Sequence, residues 1–203
     1  MSPTVAIWRA IIFRSMLVYH FLSAQHALDD ITRKRIRISR IDELNDPFEL
    51  WCSAQEDRRV RVALRNYKKE MSGRFGLLCF SNNWHNPLLW SHYADKHRGI
   101  CIGFEVGSKF LAPVTYVSKR MPLQMPPTEE SSKQLLFTKY RDWSYEGESR
   151  VWVRLDKFDT ATGHYFYDFD HQLKLREVVA GPLCDRVRRR SLVPSWATTA
   201  PLR

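Results

Sequence analysis

His20, Ser81, Tyr93, Glu146 and Glu148 are the side chains of this 203-residue sequence whose types and surroundings suit chemistry. His20 follows Tyr19 near the end of an apolar run, "MLVYHFL" (16–22). Ser81 ends another, "FGLLCFS" (75–81). Tyr93 stands in "NPLLWSHYADKHRGICIGFEV" (86–106), beside Trp90 and His92. Glu146 and Glu148 form Glu-Gly-Glu where "SYEGESRVWVRL" (144–155) turns into a strand. An imidazole exchanges or accepts protons near neutrality. A fixed carboxylate stabilises developing positive charge or takes a proton from an attacking group. Each residue also has a plain structural reading. His20 suits a hydrogen-bonded rim, Tyr93 suits a packed helical stripe, and the glutamates suit ion pairs with Arg150 and Arg154. His92 and His97 are five apart, not the three or four that share a helical face, so the spacing argues against a metal site there.

The elements that must position these groups follow from periodicity. Residues 16–22 read as a strand, and Ser23 caps a helix carrying Ala24, Ala27, Leu28 and Ile31 at helical spacing. "IRIS" (36–39) alternates as a strand with one wet face, and "NDPF" (45–48) is a turn. Residues 58–72 predict a helix with Val60, Leu64, Tyr67 and Met71 on one face and bases on the other. Residues 75–81 read as a buried strand. Asn86 caps a helix opened by Pro87 and ended by Gly99, and residues 100–106 form another strand. "VTYVS" (114–118) is a strand and the Pro-rich stretch 119–132 a loop; strands follow within 144–155, at 164–170 and at 173–181. The fold class is α+β: a mostly antiparallel sheet core, with the helices concentrated in the N-terminal half. The divisions expected are an extension over 1–15, one domain over 16–182 and a basic tail over 183–203.

Composition bounds the partners. At 44% hydrophobic and 13% aromatic, the chain can build a packed core. The net charge of +10 is local. Residues 33–40 hold five bases and no acid, residues 58–74 hold seven bases and one acid, and Arg186, Arg188, Arg189 and Arg190 crowd the tail. Such patches attract nucleic acid or another acidic macromolecule, or are simply solvated. Cys52, Cys79, Cys101 and Cys184 make no CxxC pair, which argues against zinc and a disulfide framework and fits a reducing, cytoplasmic compartment. Arg9 and Arg14 interrupt the apolar N-terminal stretch, so no membrane span is expected there.

The ordered set "LVYHFLS", "ISRIDELNDPFE", "LLCFSNN", "NPLLWSHYADKHRGICIGFEV" and "KYRDWSYEGESRVWV" resembles the bacterial family named domain of unknown function 2971, from about Leu17 to Gly181. More distantly, the layout resembles the ADP-ribosyltransferase superfamily, in which a strand ends in His, a later strand carries Ser, a following helix supplies an aromatic ring and a late strand begins Glu-x-Glu. That resemblance implies an ADP-ribosyltransferase-like fold and NAD as substrate. It implies that Tyr19, His20, Ser81 and Tyr93 hold the dinucleotide, with His20 on a ribose hydroxyl and Tyr93 stacked on nicotinamide. Glu148 would stabilise the ribosyl cation and Glu146 would orient or deprotonate the acceptor, with His20 completing the catalytic set. Trp90, His92 and Arg150 are candidate substrate contacts, with Arg150 alternatively neutralising Glu148. Asp46 and Glu49, in "NDPFE", are structural or family-specific site residues. The activity implied is ADP-ribosyl transfer or NAD hydrolysis, of the kind used by toxins and phage-defence effectors. The alternatives are a non-catalytic nucleic-acid-binding module, carried by 58–74 and the Arg-rich tail, and a nuclease using His20, His92 and Glu148.

Overall fold

A computed structural model describes residues 15–44, 57–120 and 128–185. Asp46, Glu49, the turn at 45–48, most of the expected N-terminal extension and the Arg-rich run of the tail lie outside the described residues. The elements, in order, are β1 (Ser15–Leu22), α1 (Ala24–Arg33), β2 (Arg35–Arg40), a 3₁₀ turn (Ile41–Glu43), α2 (Arg58–Ser72), β3 (Phe75–Ser81), α3 (Pro87–Tyr93), β4 (Ile100–Gly107), β5 (Ala112–Pro113) and β6 (Thr115–Val117). Then come α4 (Glu129–Leu136), β7 (Thr138–Tyr140), a second 3₁₀ turn (Arg141–Glu146), β8 (Glu148–Arg154), β9 (Phe158–Asp159), β10 (His164–Asp168) and β11 (Leu173–Ala180). The class is mixed α and β around a curled antiparallel sheet.

The helices start where side chains satisfy their first N–H groups. Ser23 Oγ accepts from His26 N at 3.2 Å, Asp57 Oδ1 from Arg59 N at 2.7 Å and Asn86 Oδ1 from Leu88 N at 3.0 Å. Two expectations change. The helix opened by Pro87 stops at Tyr93 rather than Gly99, because Asp95, Lys96 and His97 are all left-handed, with φ of 45°, 51° and 70°. The stretch expected as loop to residue 132 gives way to α4 at Glu129, whose Leu135 and Leu136 are buried. Among the described residues, no helix is long and apolar enough to cross a membrane.

The main sheet runs β11-β4-β1-β3-β2-β10-β9, with β8 added on β3 and β5 on β8. Every pairing in it is antiparallel; β6 and β7 form a separate parallel pair. β3 is the hinge of the design. Its whole length pairs with β8, from Phe75 opposite Arg154 to Ser81 opposite Glu148. Its other edge is divided: β1 meets it at Tyr19–Ser81, and β2 meets it at Ser39–Leu77 and Arg40–Gly76. β1 and β2 therefore splay apart. Gly76 allows β2 to come close, since a Cβ there would lie 2.4 Å from Ile38 Cγ2.

The two faces of the sheet are packed differently. One carries the principal core, including Val18, Leu22, Leu78, Phe80, Ile102 and Phe104, with Ala24 and Ala27 of α1. The other carries two smaller clusters. Phe21, Leu89, Trp90, Ala94, Cys101 and Val179 pack beneath α3. Ile41, Leu64, Leu135 and Leu136 pack between α2 and α4. Residues directly opposite in a ladder share a face. Tyr19, Ser81 and Glu148 thus form one cross-strand row, between the two small clusters.

Candidate functional site

A cavity of about 260 Å³ opens along that row. Tyr19 and His20 of β1, Cys79 and Ser81 of β3, Tyr93 of α3, Lys139 of β7, and Glu146, Glu148 and Arg150 around the start of β8 line it. The splay of β1 from β3 makes the opening, and the loops that join the strands aim the polar groups into it. Ser81 Oγ donates to Glu146 O at 2.6 Å, Asn82 N to Gly147 O at 3.0 Å and Asn86 Nδ2 to Tyr145 O at 3.0 Å. These bonds clamp the Glu-Gly-Glu turn to the β3–α3 connection. Gly147 is left-handed at φ 50°, and a Cβ on it would lie 2.4 Å from Asn82 Oδ1. Glycine is what lets one tight turn present both carboxylates.

The carboxylates are buried among cations. Lys139 Nζ lies 2.7 Å from Glu146 Oε2 and 2.9 Å from Glu148 Oε2. Arg150 donates from Nε to Glu148 Oε1 at 2.7 Å and from Nη2 to Glu148 Oε2 at 3.0 Å, a two-point clasp. Its Nη1 donates to the Leu136 carbonyl. Tyr93 Oη donates to Glu146 Oε1, and the Glu148 N–H donates to Tyr116 Oη at 2.8 Å. Lys139 is 3% exposed and Arg150 0%, so these charges must be held by partners. Burial alone would raise Glu148, but Arg150 and Lys139 outweigh it and bring the carboxyl down to about 2. Glu146 goes the other way. Burial raises it more than Lys139 and Tyr93 lower it, and Glu148 adds repulsion. Two carboxylates separated by one glycine thus hold protons differently, the pattern that divides an ionised group from a proton-exchanging one.

His20 spans the gap between β1 and β3. Its Nδ1 lies 3.0 Å from the Cys79 carbonyl oxygen, which can only accept, so Nδ1 carries the proton. Its ring packs edge-on to Phe80 at 6.1 Å. Burial lowers its pKa, leaving a neutral ring whose Nε2 is an acceptor. Tyr19 sits in the same row, its phenol pushed up by burial and by Glu177.

The remaining sequence candidates separate. Arg150 lines the cavity with its guanidinium engaged by Glu148 and Leu136, which makes it a partner of the carboxylate. Trp90 does not line it: its ring packs at 5.1 Å on Phe21, and its Nε1 donates to Trp84 O at 2.6 Å. His92 is exposed, with Nδ1 2.9 Å from Tyr145 Oη, on the outer side of the turn that holds Glu146. Lys139 and Tyr116 were not among the candidates. "KYRDW" carried one available signal: a lysine a few residues before Glu-Gly-Glu, in a segment that must pass beside it.

No family model matches the chain, and neither a curated protein nor a solved structure matches it.

Proposed function

We propose that the cavity binds NAD and breaks its nicotinamide–ribose bond, as an ADP-ribosyltransferase or an NAD glycohydrolase, on a fold of the ADP-ribosyltransferase kind. One observation carries this reading. Tyr19, His20, Ser81, Tyr93, Glu146 and Glu148 come from four separated motifs, and all line one cavity. At about 260 Å³, the space suits the reacting end of a dinucleotide rather than all of it.

The chemistry assigns each group a task. The Tyr93 ring stacks on nicotinamide, and the neutral His20 accepts a hydrogen bond from a ribose hydroxyl at Nε2. The C1′–N bond breaks with its electron pair passing to nicotinamide, which leaves uncharged. Positive charge grows on the ribose, and the ionised Glu148 opposes it electrostatically. Lys139 and Arg150 keep that carboxylate charged and oriented, at the cost of offsetting part of its field. Water, or the nucleophilic atom of an acceptor, bonds to C1′ from the opposite face, and its proton passes to Glu146.

Nicotinamide release from NAD tests the reading, with wild type, Glu148→Gln and Glu146→Gln compared under identical conditions and NAD binding followed by calorimetry. Wild type is expected to turn over, and Glu148→Gln to lose about 10²-fold or more in kcat while still binding NAD. Wild type that neither binds NAD nor releases nicotinamide would overturn it.

A further inference from the structure

α2 presents a charge pattern that the cavity chemistry does not use. Its inner side is apolar: Leu64 is buried, and Tyr67 and Met71 pack partly buried on the cluster of Ile41, Leu135 and Leu136. Its outer side carries Arg58, Arg59, Arg65 and Lys69, all exposed. Among the described residues, none of these four holds a carboxylate. The contrast is local, because Arg33, Arg40 and Arg176 each pair with an acid, at 2.8 Å, at 3.0 Å and at closer contact respectively. Four unpaired cations on one helix repel one another, and polyanion binding would relieve that repulsion.

A second observation identifies the polyanion. Just beyond the C-terminal end of α2, the half-buried rings of Phe75 and Trp152 lie 5.0 Å apart and tilted by 30°, and the Arg74 guanidinium lies 5.4 Å from the Phe75 ring. Trp152 shares the sheet face of Glu148 and Arg150, and stands four residues from Glu148 on β8, about 13 Å away. α2 is also tied to the cavity's rim: Ile41 packs under Leu64, and Glu43 of the same 3₁₀ turn lines the cavity.

We infer that α2, with Phe75 and Trp152, is a docking face for single-stranded nucleic acid: the bases of the helix follow the phosphates, and the two rings accept unstacked bases. A duplex keeps its bases stacked inside and cannot use the rings. An acidic peptide matches the charge and makes no use of the rings. The inference goes beyond the NAD reading and does not depend on it, since it concerns binding in the absence of NAD.

The test is anisotropy of a labelled single-stranded oligonucleotide, titrated with the full chain at several salt concentrations. Wild type is compared with Arg58→Ala/Arg59→Ala/Arg65→Ala/Lys69→Ala, and with a control that removes equal charge elsewhere, Arg98→Ala/Lys119→Ala/Arg120→Ala/Lys174→Ala. All eight residues replaced in the two variants have exposed side chains, so the core is left untouched, and circular dichroism verifies the fold of both variants. Each lost phosphate contact lowers the magnitude of the log-affinity against log-salt slope by about 0.7. The α2 variant should therefore lose about 3 in slope and the control should lose little. Equal slopes for the two variants would overturn the inference. So would a duplex or polyglutamate that competes as well as the single strand.

Discussion

The Nδ1 of His20 and the main-chain oxygen of Cys79 lie 3.0 Å apart, across the gap where β1 and β3 part. A side chain thus does there what a ladder bond would do if the strands stayed together. The bond holds the cavity open at a fixed width and sets the tautomer of the ring.

This geometry makes a pH prediction. Burial lowers the pKa of His20 below its ordinary 6.5. As the pH falls through about 6.5, the unfolded chain takes up a proton that the folded chain refuses, so stability falls. The slope from one proton is at most about 1.4 kcal/mol per pH unit. His20→Gln keeps a donor for Cys79 O and removes the titration. Urea midpoints measured from pH 8 to pH 5 should show a shallower fall for the variant than for wild type, the other histidines being common to both. Parallel curves would mean that His20 is as readily protonated as a solvent-exposed imidazole.

Lys139 holds two carboxylates, 2.7 Å from Glu146 and 2.9 Å from Glu148. Lys139→Met leaves both glutamates with Arg150 as the one remaining cation of the group. Removing one partner of a buried ionic set costs about 3–5 kcal/mol. Adding Glu146→Gln removes the charge that has lost its partner, so the double variant should be more stable than Lys139→Met alone. Urea denaturation at pH 7 measures both. A double variant less stable than the single one would show that Lys139 serves mainly Glu148.

Asp30 is a buried carboxyl on α1, 4% exposed, with its pKa pushed up to about 7 by burial and by Asp29, against the pull of Arg35 and Arg37. A raised acid stabilises the fold while protonated, and that contribution is lost as the pH rises through its folded pKa. Asp30→Asn mimics the protonated form. Relative to wild type, it should gain on the order of 4 kcal/mol at pH 8 and little at pH 4. Thermal unfolding at the two values decides it, and an equal effect at both would remove titration as the cause.

Much of this arrangement is legible in the sequence. The span of α2 followed from its apolar stripe, that of β3 from its unbroken apolar run, and the start of α3 from Asn86-Pro87. The strand expected within 144–155 is β8, Glu148–Arg154. What was not legible came from distant partners. Lys139 reads as a surface lysine, because lysines are seldom buried, and only two carboxylates brought in by another turn make its burial tolerable. The end of α3 is not legible, because three left-handed residues in a row have no local signature and Gly99 is a conventional helix stop. α4 was hidden by the prolines before it, since Pro ends a helical pattern but does not prevent a new one from starting a few residues later.

Tyr93 separates binding from proton transfer. Its hydroxyl donates to Glu146 Oε1, and that bond is one of the influences lowering the Glu146 carboxyl against burial. Tyr93→Phe keeps the ring and deletes the donor. If the ring stacks on nicotinamide, the KM for NAD should stay as in wild type. The Glu146 carboxyl, deprived of a donor to its charged form, should rise further. A base must be ionised to accept a proton, so the acid limb of kcat/KM should move to higher pH while the rate at pH 8 changes little. Tyr93→Ala removes the ring as well, and should raise KM about tenfold or more, on a stacking energy of about 1–3 kcal/mol. The pH profile and the KM therefore report different atoms of one side chain. A Phe variant with the KM of the Ala variant would mean that the hydroxyl, rather than the ring, holds the nucleotide; a Phe variant with an unmoved acid limb would take Glu146 out of the proton-transfer step.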